Sequence, residues 1–291
     1  MTFNPGTQLD PGQVSDRRGM GRGGVALGGG GAIGVVLLLA YVLLGGNPSD
    51  LGPVLQPGAV TNPESSALAT DCKTGQDANE RDDCRILGYV NSIQAYWSSA
   101  FSSSGNPYRE ADTVLFSGAT SSGCGTASAA TGPFYCPGDR KVYLDLSFFG
   151  DLHQKLGAPG DFAQAYVLAH EIGHHVQNLT GTLESTPFTG NANERSVRVE
   201  LQADCYAGVW GHEAAKPGRF AAGRVELDPG DVEEGLNAAA AIGDDRLQKQ
   251  SQGRVAPESF THGSSAQRVS WFKRGMESGD PRACDTFPDA R

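Results

Sequence analysis

His170, Glu171 and His174 lie in the run Tyr166-Val-Leu-Ala-His-Glu-Ile-Gly-His-His-Val176 and form the pattern H-E-x-x-H. On a helix, positions i and i+4 sit one turn apart on one face. Two imidazoles so placed can share one Zn²⁺, and a glutamate beside the first can reach a water on that metal. These are the minimum parts for metal-assisted hydrolysis.

A zinc site of this kind needs a third protein ligand. In H-E-x-x-H-x-x-G-x-x-H it is a histidine, but Gln177 stands at the glycine position and Thr180 at the histidine position. That class is excluded. A carboxylate from a following helix is the alternative. Glu200 and Asp204 share one face at i and i+4. One can bind zinc, and the other can accept the free N–H of a ligand histidine. The competing reading is a solvated acidic face beside Arg198.

These residues need two helices to hold them. The first is expected from Asp161, as N-cap with Gln164 three residues on, to a stop at Gly181. At 100° per residue, His174 falls about 40° and Glu171 about 100° round from His170. Tyr166, Ala169, Gly173 and Val176 gather on another, apolar face. His175 is expected to point away from the metal, and His153 and His212 take no role. The second helix is expected over 193–212.

The rest of the chain supplies a frame. Leu87, Val90, Ile93, Trp97 and Phe101 recur at helical spacing, which predicts a helix over about 79–102. Short strands are expected at 113–116, 132–136 and 141–146, with Pro137-Gly-Asp139 as a turn. A short helix is expected over 148–156. Asp228-Pro229 opens a helix to about Gln250, and Ser264 with Gln267 caps a last one to about Ser278.

The chain has 291 residues, 38% of them hydrophobic, enough for a folded core, and a net charge of −10 that argues against a nucleic-acid partner. Its six cysteines allow fifteen pairings. We expect Cys72–Cys84 and Cys124–Cys136 from proximity in sequence, and Cys205–Cys284 by elimination. All six follow a run without charge from Gly23 to Ser49. That run predicts a transmembrane helix over 23–46, a cleaved signal peptide being the alternative. Arginines before it predict a cytoplasmic N-terminus, which puts the disulfides on an oxidising far side. The expected layout is a disordered cytoplasmic tail at 1–22, the membrane helix, a Pro/Gly-rich linker at 47–70 and one domain at 71–291. The spacings Gly24/Gly28 and Gly30/Gly34 leave homo-oligomers through the membrane helix open.

Gly132-Pro-Phe-Tyr-Cys-Pro, Tyr143-Leu-Asp-Leu-Ser-Phe-Phe, His170-Glu-Ile-Gly-His-His-Val-Gln, Glu200-Leu-Gln-Ala-Asp-Cys-Tyr-Ala-Gly-Val-Trp and Thr261-His-Gly-Ser-Ser-Ala-Gln-Arg together resemble the putative neutral zinc metallopeptidase family of bacterial membrane-anchored proteins. The similarity covers about 71–287, plus the anchor in layout, and His170-Glu171-x-x-His174 with Glu200-x-x-x-Asp204 resembles the gluzincin arrangement. It implies an α+β, zincin-like domain, mostly helical with a small sheet. It also implies Glu200 as third zinc ligand and Asp204 as the group orienting a histidine. Glu171 is then the general base of a peptidase acting on peptide or protein substrates. His262 is the candidate donor to the oxyanion, with helix capping as its alternative role. Two rivals stay open: a catalytically inactive zinc-binding scaffold of the cell envelope, and a zinc hydrolase of another amide, such as a cell-wall cross-link.

Overall fold

The computed structural model describes residues 1–19, 66–185, 188–216 and 225–287. In chain order its elements are β1 (Thr2–Phe3), β2 (Val14–Asp16), α1 (Ser66–Asp71), α2 (Gly75–Glu80), α3 (Asp82–Ser103), β3 (Asp112–Phe116), β4 (Ala119–Ser122), β5 (Gly125–Ser128), β6 (Phe134–Cys136), β7 (Lys141–Asp145), α4 (Ser147–Gln154), α5 (Asp161–Leu179), α6 (Thr182–Ser185), α7 (Ala192–Ala214), β8 (Val225–Glu226), α8 (Asp231–Ala241), α9 (Asp244–Gln252) and α10 (Ser265–Ser278). The fold is mixed α+β, mostly helical with small sheets.

The main sheet has the order β2-β3-β7-β6. β3 and β7 are its central strands and run parallel, Val114 beside Tyr143. Four consecutive residues of each are buried, as expected of strands covered on both faces. β6 closes one side as a short antiparallel edge, with Phe134 opposite Tyr143. Their rings stack at 5.1 Å.

α5 runs through the core rather than along its surface. His175 and Gln177 are fully buried beside Tyr166, Leu168 and Ile172, so the single apolar face expected for this helix is too narrow a description. Its N-cap is Gly160, not Asp161, and no side chain caps it. The Asp161 carboxylate instead accepts from the Met1 ammonium at 2.9 Å. α7 crosses α5 closely, because a Cβ on Gly173 would stand 3.1 Å from the Ala203 carbonyl oxygen. α7 and α10 come closer still. A Cβ on Gly208 would lie 2.0 Å from the Phe272 carbonyl oxygen, and one on Gly275 2.0 Å from that of Cys205. Only glycine allows the two backbones to meet there.

The long helix expected over 228–250 is two helices. Pro229 precedes the N-cap Gly230 of α8, and Gly243 separates α8 from α9. Packing against the start of α10 requires glycine at the break: a Cβ on Gly243 would sit 2.3 Å from the Ser265 nitrogen. The expected Ser264–Gln267 capping box opens α10. The disulfides join Cys72–Cys84, Cys124–Cys136 and Cys205–Cys284.

Two expectations are corrected at the N-terminus. Residues 1–18 form no disordered tail. β2 pairs in parallel with β3, and β1 pairs with β8. Phe3 is fully buried, and the Asn79 side chain exchanges hydrogen bonds with its backbone at 2.8 and 2.9 Å. Asn91 does the same for Asp10. A single-pass topology with a cytoplasmic N-terminus and an external domain would put a bilayer between segments that share one sheet. Among the described residues no helix is long and apolar enough to cross a membrane. The single-pass reading is therefore not supported. Residues 23–46, the glycine pairs at 24–34 and most of the linker lie outside the described residues.

Candidate metal centre

His170 and His174 project from α5, and Glu200 reaches them from α7 thirty residues later. His170 Nε2 lies 3.1 Å from Glu200 Oε2 and 3.2 Å from His174 Nε2, and His174 Nε2 lies 3.5 Å from Glu200 Oε1. Three ligand atoms at zinc-bond length round a tetrahedral centre stand about 3.3 Å apart. The donor types and their spacing thus fit one zinc ion.

The far nitrogens of both rings are held so that the near ones face this triangle. His170 Nδ1 is 2.9 Å from Asp204 Oδ1. An ionised carboxylate only accepts, so Nδ1 carries a hydrogen, and Nε2 is the nitrogen left to bind a metal once a metal displaces its proton. For His174 the partner is Gln177. The Gln177 amide nitrogen donates to the Val199 carbonyl at 2.7 Å and to Gln202 Oε1 at 3.0 Å. Its oxygen therefore faces His174 Nδ1, at 2.8 Å, and accepts from it.

Charge follows the same design. Burial opposes ionisation of His170, but Asp204 and Glu200 outweigh it, and its pKa is pushed up to about 10. Burial likewise resists a charge on His174, and Glu200 again wins and raises it. Glu200 is held well below the ordinary carboxylate range: burial works against the anion, and the two histidines overcome it. The pocket strongly favours positive charge at its centre.

Glu171 is 8% exposed and shares a cleft of about 690 Å³ with these groups. Pro133, Phe134 and Tyr135 line the cleft from the edge strand, Val167 and Leu183 add apolar wall, and Ile242, Leu247 and His262 contribute from the C-terminal region. A groove of about 1010 Å³ lined by Val197, Leu201, Phe260 and Trp271 contains none of the histidines.

His262 lies at the cleft on the loop before α10. Its Nδ1 is 3.2 Å from Asp244 Oδ1, and Asp244 Oδ2 also accepts the backbone N–H groups of Thr261, His262 and Gly263. The bond to Asp244 raises the His262 pKa against partial burial. Burial works against the Asp244 anion, but His262 and the backbone donors lower its pKa. His175 points away from the metal triangle. Its Nε2–H donates to the Arg109 carbonyl at 2.5 Å, and its Nδ1 accepts from the Tyr135 hydroxyl at 3.0 Å. His212 donates to the Met276 carbonyl, and His153 is exposed on α4.

Five contributing residues carry no role in the sequence reading: Tyr135, Tyr166, Gln177, Asp244 and Arg268. Two had a usable signal. Tyr166 precedes His170 by four residues and Gln177 follows His174 by three, so helical spacing brings each near a ligand. The other three come from separate elements.

The sequence profile of the family described as "Putative neutral zinc metallopeptidase" matches residues 6–287. "Uncharacterized protein YpfJ" of Escherichia coli (strain K12) is 44% identical over 287 residues, covering 94% of this chain and 95% of that protein. "Uncharacterized protein Rv2575" of Mycobacterium tuberculosis (strain ATCC 25618 / H37Rv) is 46% identical over 226 residues, 76% of each chain. No solved structure matches the chain.

Proposed function

The chain belongs to the putative neutral zinc metallopeptidase family, and from that premise we propose that it is a zinc-dependent endopeptidase in which His170, His174 and Glu200 hold the metal and Glu171 is the general base. The observation that carries this reading is the triangle of two Nε2 atoms and one carboxylate, with 3.1–3.5 Å sides, in the cleft that Glu171 also lines. Bound Zn²⁺ acidifies a water and polarises the scissile carbonyl.

The protein groups do the rest. Glu171 takes the proton of the attacking water and passes it to the leaving amine nitrogen. Asp204 and Gln177 keep the two imidazoles in the tautomer that presents Nε2. His262, anchored through Nδ1 to Asp244, has Nε2 available to donate to the oxyanion. β6 ends the sheet, so its outer edge offers backbone groups to an extended peptide. The apolar lining from Phe134, Val167, Leu183 and Leu247 suits a large apolar side chain beside the scissile bond.

Glu171→Gln tests the reading against an inactive scaffold. Glutamine keeps the shape but cannot take the proton. We expect zinc content and melting to stay at wild-type level while turnover of a casein-type substrate falls about 10²–10⁴-fold. Wild-type turnover in this variant would remove Glu171 as base. Absence of chelator-sensitive turnover in the wild type would favour the scaffold.

A further inference from the structure

The cleft adjoins a buried cation. Arg268, on α10, is 2% exposed. Its Nε donates to Asp204 Oδ2 and one terminal nitrogen to Asp204 Oδ1, both at 2.9 Å. The other terminal nitrogen donates to the Ile242 carbonyl at 3.2 Å. Asp204 is itself fully buried, and its Oδ1 also accepts from the Tyr166 hydroxyl at 2.5 Å and from His170 Nδ1 at 2.9 Å.

A guanidinium here is electrically awkward. It stands 3.4 Å from His170 Nδ1. Both are donors, so they do not bond to each other, and a positive charge this close to a metal ligand opposes a second cation. A buried ion pair is also weak evidence of stability, since apolar residues of like volume often serve as well. The fork supplies something an apolar residue cannot. Two parallel bonds fix the plane of the Asp204 carboxylate. Among the described residues every side-chain bond Asp204 accepts comes from Tyr166, His170 or Arg268. With the plane fixed, Oδ1 stays on His170 Nδ1, and Nε2 stays aimed at Glu200 and His174. The close glycine crossing of α7 and α10 at Gly208 and Gly275 brings the fork within reach.

We propose that Arg268 is a positioning residue of the metal centre: it acts through Asp204 to hold His170 in the orientation and tautomer that bind zinc. The inference rests on His170, His174 and Glu200 being the ligands. It differs from a purely structural role for the ion pair, in which Arg268 matters to folding and not to zinc.

The experiment measures zinc affinity of the purified chain by competition with a chelator, beside circular dichroism and melting, for Arg268→Gln, Arg268→Lys, Asp204→Asn and the double variant Asp204→Asn/Arg268→Gln. We expect Arg268→Gln to weaken zinc binding about 10–100-fold, the usual effect of losing an outer partner of a ligand. Lysine, which keeps the charge without the fork, should recover only part of it. In the Asp204→Asn background, Arg268→Gln should change affinity by less than about threefold, because the route through Asp204 is already cut. Wild-type affinity in a folded Arg268→Gln, or losses that simply add in the double variant, would overturn the proposal. Arg268→Lys covers the case in which the glutamine variant does not fold, and failure of both to fold would show Arg268 to be a folding residue. Wild type and His174→Ala binding zinc equally well would instead refute the ligand set, a result distinct from any of these.

Discussion

Tyr135→Phe is the most discriminating single change, because it touches the edge strand of the cleft and leaves every zinc donor alone. The Tyr135 hydroxyl accepts from Asn178 Nδ2 at 2.8 Å and donates to His175 Nδ1 at 3.0 Å. Both partners are on α5, so this hydroxyl ties β6 to the helix that carries the ligands. His175 is fully buried and its other nitrogen is committed to Arg109, so phenylalanine leaves a buried acceptor without a donor. Such an orphan costs about 1–3 kcal/mol, while Asn178, only part-buried, turns to water at little cost. We take about 2 kcal/mol, which lowers melting by about 4–8 °C in a chain of this size. Where loss of the tie lets β6 shift in the free protein, part of this cost falls on substrate docking instead, so KM rises by less than the roughly thirtyfold that the whole of about 2 kcal/mol would give. Scanning fluorimetry, metal analysis and fluorogenic-peptide kinetics on one preparation give all three numbers. The expected result is a lower melting point, a higher KM, and unchanged zinc and kcat. Unchanged melting would refute the account of the hydroxyl as a buried tie. Loss of zinc would show that β6 and the metal centre are not separable.

Other changes have equally definite outcomes. Glu200→Ala removes one corner of the donor triangle and should lose most bound zinc; equal metal content in variant and wild type would take Glu200 out of the site. Asp244 has a folded pKa below its ordinary 3.8, and His262 one above its ordinary 6.5. The carboxylate's stabilisation is complete above about pH 4 to 5 and lost as pH falls through its depressed value, and the imidazole's is complete below about pH 6 and lost as pH rises through its raised value. Their pair should therefore stabilise most at mildly acidic pH, and Asp244→Asn should flatten the melting-versus-pH profile there. A parallel profile would disprove the coupling. The Cys205–Cys284 disulfide closes a separation of 79 residues, against 12 for each of the others. Chain entropy then predicts about 4.5 kcal/mol against about 3 kcal/mol. Serine at 205 and 284 should lower melting more than serine at 72 and 84, and the reverse order would rule that account out.

The sequence by itself determined what repeats locally. The i, i+4 spacing of His170 and His174 needs only a helix to become two ligands on one face. Ser264 and Gln267 specify their capping box within four residues. Cysteines twelve residues apart are natural neighbours. The family motifs then carried Glu200 and Asp204 to the same site, a step that spacing alone left open against an acidic surface. Tertiary structure decided what depends on distant elements. β1 and β2 have two and three residues, too short to show a period, and their partners are far off in sequence, Thr2 facing Glu226 and Val14 facing Thr113. A polar N-terminal stretch therefore reads as a tail, although Asn79 and Asn91 hold it in the fold. Arg268 is sixty-four residues from Asp204. No local pattern separates it from a surface arginine, because its position depends on α7 and α10 meeting at two glycines. Helical periodicity acts over a turn, whereas the close approach of two backbones depends on the whole core.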